Sequence, residues 1–79
     1  MKKFEVSYTL SKEKQELLRL PAVVLFGTIR EIEGRYHVNR NNPCTKVYFT
    51  MSDAVKSFEL EEALQEGLIE SYTIREINA

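Results

Sequence analysis

One cysteine, Cys44, occurs in the whole chain, so no internal disulfide can brace the fold. That usage fits a reducing compartment. The longest apolar run, Ala22–Phe26, is far too short to span a bilayer. Met1-Lys2-Lys3 leads into Phe4-Glu5-Val6-Ser7 rather than a long apolar segment, so neither a signal peptide nor an anchor is expected. A cytoplasmic location follows as the default. There is one histidine, His37, and there is no Gly-rich phosphate loop, metal-ligand cluster or nucleophile motif. No cofactor or metal is expected, and neither is catalysis. His37 lacks an obvious orienting partner, since Glu33 and Tyr36 are too generic. Cys44 reads as a small packing residue.

Acidic residues are missing from one segment. Between Gly34 and Ser52 there is none, while Arg35, Arg40 and Lys46 add three positive charges. From Asp53 to Glu70 the balance reverses to six acids against Lys56. These segments nearly cancel, leaving a net charge of −1. A basic arm followed by an acidic helix suggests binding rather than catalysis.

What is present is a repeat. Thr-Ile-Arg-Glu-Ile stands at Thr28–Ile32 and again at Thr73–Ile77. With 79 residues the chain is read as one domain, 1–79, near the lower limit for folding without disulfides or metals. Dimerisation would be a natural way to bury more surface.

The hydrophobic period changes along the chain. Phe4, Val6, Tyr8 and Leu10 alternate with polar residues, which predicts a half-buried strand. Ser11 can cap a short helix over Lys12–Leu20, stopped by Pro21; its apolar positions, Leu17, Leu18 and Leu20, give it a weak amphipathic face. Ala22–Glu33 fits a helix or a strand. The repeat favours a strand, with a bulge near Gly27. Gly34–Pro43 is a connecting arm with room for an extra short strand at Arg35–Val38, folded back at Glu33-Gly34, and Asn39–Pro43 carries turn chemistry. Thr45–Met51 alternates again, with Val47, Phe49 and Met51 on one face and Lys46, Tyr48 and Thr50 on the other. A helix capped by Ser52 ends at Gly67, and Leu68–Ile77 is the last strand.

Strand–helix–strand twice predicts an α+β split βαβ sandwich, the ferredoxin-like βαββαβ arrangement, with a four-stranded antiparallel sheet and two helices on one face. The two repeat copies would form the edge strands, where Arg30, Glu31, Arg75 and Glu76 protect against open pairing.

Three functions compete. The first is a non-enzymatic interaction or regulatory module, in the manner of phage or mobile-element inhibitors, docking on a protein partner or on itself as a homodimer. Its contacts would be Arg35, Tyr36, His37 and Arg40 of the arm, Lys46 of the strand that follows it, and Glu59, Glu62 and Glu66 of the acidic helix. Glu62 and Glu66 are like charges four apart, which costs helix stability and suggests a partner. The second is RNA or single-stranded DNA binding on the open sheet face, with Tyr48 stacking on bases and Lys46, Arg35, Arg40 and Tyr36 contacting phosphates. Against it stand the missing RNA-recognition signature and a sequence pI near 5.8. The third is a small enzyme or ligand-binding domain with a site at a dimer interface, built from His37, Tyr36 or Cys44.

Overall fold

The computed structural model describes residues 2–40 and 45–77. Cys44 and most of the Asn39–Pro43 turn lie outside them. Five antiparallel strands form one sheet: β1 (Lys2–Thr9), β2 (Val23–Ile32), β3 (Arg35–Asn39), β4 (Lys46–Tyr48) and β5 (Ser71–Ile77), in spatial order β4-β3-β2-β1-β5. Three small helices accompany them: α1 (Lys12–Leu18), α2 (Met51–Lys56) and α3 (Leu60–Gln65).

This is not the split βαβ sandwich. β1 and β2 are hydrogen-bonded antiparallel neighbours, joined through α1. A parallel crossover would have to carry the chain back along the whole of β1. The eight-residue strand is about 26 Å long, and the seven residues of α1 rise only about 10 Å. The chain therefore turns back at once, and Leu10 N–H donates to the Ala22 carbonyl at 3.2 Å to close that turn. Only the connection from β4 through α2 and α3 to β5 crosses from one sheet edge to the other.

The repeat is also reassigned. β2 is an interior strand and only β5 is an edge. Both copies pair with β1, one on each side, with a two-residue stagger: Thr28 and Arg75 both sit opposite Glu5. The stagger is even, so each copy keeps its faces. Ile29 and Ile74 point into the core, while Arg30 and Arg75 point away.

A bulge in β2 opposite Val6 and Ser7 brings both Phe26 and Gly27 to the core side. The β2–β3 hairpin turns on Glu33 (φ 50°) and Gly34 (φ 75°), the double left-handed geometry of a type I′ turn.

The single acidic helix expected after Ser52 is two helices. Thr50, not Ser52, caps α2, accepting from Asp53 N–H at 3.1 Å. The break falls at Glu59, which is left-handed (φ 55°). Phe58 and Leu60 are both buried in the same core, yet two helical positions lie about 200° apart. One continuous helix cannot bury both. Together with Ala54 they seat on Val6, Ile29 and Val38, covering one side of the sheet. The other side is open.

Candidate functional site

Two surfaces emerge, one on each side of the sheet. The first is a groove between α1 and α3. Ser11 caps α1 by accepting from Lys14 N–H at 3.2 Å, and Gln15 Nε2 donates to the Leu10 carbonyl at 2.8 Å. Lys14 Nζ reaches across to the Gly67 carbonyl. These polar ties hold a helix that buries none of its own residues. Leu17 is 78% exposed and Leu18 54%, and across the groove Leu68 is 53% exposed. A helix in a globular domain ordinarily puts its leucines into the core. Here they line an open cleft of about 730 Å³, within the size range of binding sites, roughly 300–1,000 Å³.

The floor of the groove is aromatic. Tyr8 meets Phe26 edge-on at 5.5 Å, and Phe26 meets Phe58 edge-on at 5.2 Å. Arg40 lies over both phenylalanines, 5.2 and 5.7 Å from their ring centres, and donates from Nη1 to the Ser57 carbonyl at 2.9 Å. One wall carries Glu59, Glu62 and Glu66: Glu62 within α3, Glu59 and Glu66 capping its two ends.

The second surface is the open face of the sheet. Lys3, Arg30 and His37 occupy directly adjacent positions on three neighbouring strands. Beside them Arg75 Nη2 sits 3.4 Å from Glu5 Oε1, the only ion pair among the described residues. The Arg35 guanidinium lies 4.7 Å from the centre of the Phe49 ring.

The arm residues expected to act together are divided between the two sides by strand alternation. Arg35 and His37 are on the open face. Tyr36 is on the core side opposite Glu31 and Tyr48, and the Glu31 carboxylate, with some burial, raises its phenol pKa. Lys46 is opposite Val38, also on the core side, at the β4 edge. Arg40 belongs to the groove floor. The three carboxylates meet at the groove as one set. Tyr48 is turned towards the core, and Val47 and Phe49 are exposed, the reverse of the arrangement that nucleic-acid stacking on Tyr48 needs. His37 has Arg30 and Val47 as its cross-strand neighbours, so no carboxylate stands opposite to orient its ring.

Sequence reasoning missed Leu17, Leu18 and Leu68 as groove residues, and Lys3, Arg30, Arg75 and Phe49 on the open face. The weak amphipathic face of α1 was the available signal for the leucines. The alternation of the first strand and the arginine in each repeat copy were the signals for the cations.

Among the described residues no group of histidine, cysteine or carboxylate side chains could hold a metal ion, and no helix is long and apolar enough to cross a membrane. Comparison with protein-family models, curated proteins and solved structures finds no match.

Proposed function

We propose that the chain is a non-enzymatic protein-interaction module whose groove takes an amphipathic, basic segment of a protein partner. The observation that carries this is the pairing of uncovered leucines on α1 with three like-charged carboxylates on and flanking α3. Leu17, Leu18 and Leu68 would cover the apolar side of such a segment. Glu59, Glu62 and Glu66 would meet its lysines or arginines at the rim. Helix-in-groove recognition of this sort reads apolar anchors at helical spacing. The repulsion between Glu62 and Glu66 in the free protein is relieved when a cation arrives. Arg40 and the aromatic floor keep the cleft open and preformed.

Fluorescence anisotropy with labelled model helices tests this. A leucine–lysine amphipathic peptide should bind saturably, and the same peptide with glutamate for lysine should not. Exchanging Glu59, Glu62 and Glu66 together for glutamine should weaken binding about tenfold, as expected for several rim charges. Leu17→Glu should abolish it. Absence of saturable binding, or equal binding of the two peptides, would overturn the proposal.

A further inference from the structure

The open face breaks a rule of sheet construction. Like charges directly opposite each other on neighbouring strands destabilise the pairing. Yet Lys3 faces Arg30, and Arg30 faces His37, so three nitrogen-bearing side chains stand in one row across β1, β2 and β3. Strands are about 4.8 Å apart, so this row spans about 10 Å. No carboxylate among the described residues interrupts it. Glu5 is the one acid among the strand residues of this face, and Arg75 already pairs with it. The acidic residues of α2 and α3 lie on the other side of the sheet. The molecule is therefore polar in charge despite its net −1.

A second feature adjoins the row. Phe49 is 74% exposed, and the Arg35 guanidinium covers one of its faces at 4.7 Å. An exposed aromatic ring backed by a cation on one face can stack on a flat ligand with the other. A row of cationic donors beside such a ring matches a sugar–phosphate chain with splayed bases, and matches a run of acidic side chains less well, since carboxylates offer no flat ring to Phe49.

We infer that the open sheet face binds single-stranded nucleic acid, with Lys3, Arg30 and His37 tracking the backbone and a base stacked on the Arg35-backed ring of Phe49. Sequence-tolerant binding is expected, because stacking accepts every base and the cations read only phosphate. The site is separate from the groove, so either can fail without the other. It also gives the mismatch between Lys3 and Arg30 a use: phosphate oxygens between the two cations turn repulsion into attraction.

The test uses the full chain and labelled twelve-nucleotide oligothymidylate and oligouridylate in fluorescence anisotropy across a salt series. Polyglutamate of similar charge is the control. Binding should weaken with salt with a log–log slope of about 2–3, as three or four phosphate contacts to a single strand give. Arg30→Thr should weaken binding about fivefold or more while raising thermal stability, since it removes the like-charge neighbour of Lys3. A merely structural arginine would lower stability instead. Phe49→Ala should weaken binding about tenfold, in line with the loss of one stacked base, and Phe49→Trp should restore it. Three results overturn the inference: no binding at low salt, polyglutamate binding as tightly as the oligonucleotides, or binding unchanged in Arg30→Thr and Phe49→Ala. Polyglutamate as the tighter ligand would assign the face to an acidic protein.

Discussion

A β-carbon on Gly27 would collide with the backbone carbonyl oxygen of Asn39. It would also lie 3.0 Å from Cε1 of Phe58 and 3.2 Å from the Arg40 α-carbon. The end of β3 is pressed onto the bulge of β2, and only a residue without a side chain fits between. Because the obstacle is backbone, it cannot swing aside. Gly27→Ala is expected to cost about 1–3 kcal/mol, the usual range for overpacking a tight site. Urea denaturation followed by far-UV circular dichroism measures it, and an unchanged midpoint would refute the close approach.

Arg40 belongs to the fold. Its guanidinium covers Phe26 and Phe58 and closes the α2–α3 junction through the Ser57 carbonyl. Arg40→Ala should destabilise by about 1–3 kcal/mol, combining a charge-assisted hydrogen bond with packing over two rings. Arg35→Ala touches only the exposed ring of Phe49 and should cost less than about 1 kcal/mol. Parallel denaturant titrations of the two variants rank them. Equal losses would contradict this division of roles.

Glu33 occupies a left-handed position (φ 50°) ahead of Gly34 in the β2–β3 turn. Asparagine tolerates that geometry far better, and Asn-Gly is the favoured type I′ pair. Glu33→Asn is therefore predicted to stabilise the chain by about 0.5–1 kcal/mol through relief of backbone strain. A scanning calorimetry comparison should show a higher midpoint, and a lower one would count against the assigned turn.

The Tyr72 hydroxyl donates to Glu61 Oε1 at 2.5 Å. That hydrogen bond, with some burial and the carboxylate charge, raises the phenol above its ordinary value of 10.0. The folded chain holds this proton more tightly than the unfolded chain. The resulting stabilisation is thus fully present below the unfolded value and is lost as pH rises through the folded one. Tyrosinate absorbance should show late titration, to which Tyr36 also contributes, and Glu61→Gln should bring the Tyr72 part back towards the ordinary value. If that variant leaves the alkaline titration unchanged, Glu61 is not the cause.

Leu17 gives the converse of a core substitution. Its side chain is 78% exposed, so Leu17→Ser should leave stability within about 0.5 kcal/mol of the parent. The same change should remove much of the binding to the leucine–lysine helix. A large loss of stability would mean that the leucine is packed in solution and the groove is closed.

Local signals were strong where side chains alternate and weak where topology decides. The alternation of Phe4, Val6 and Tyr8 identifies β1, and Ser11 identifies the start of α1, because both are effects of immediate neighbours. Whether β1 and β2 would lie parallel or antiparallel depended on the length of α1. Leu20 and Pro21 left that length ambiguous, since a left-handed Arg19 ends the helix earlier than proline would. Val47 and Phe49 misled for a related reason: hydrophobicity alone points them inward, whereas the core side of β4 is claimed by Tyr48 packing beside Tyr36. The acidic half of the groove was readable as a like-charged helix face. The leucine half was signalled only by the weak amphipathic face of α1, since no local pattern tells which covering neighbour a leucine will find.

The staggered repeat has a consequence for how the chain reaches this structure. Two identical pentapeptides must take opposite sides of one strand, and in the unfolded chain each can occupy either seat. The connection from β1 to β2 contains only α1, whereas α1 through α3 all intervene before β5, so the first copy has the shorter loop to close and is expected to dock sooner. Its bulge at Phe26-Gly27 then commits that side of β1 to a partner only β2 can be. The second copy is left the remaining edge, so β5 is expected to dock after β2, an order that lower φ-values at Ile74 than at Ile29 would show.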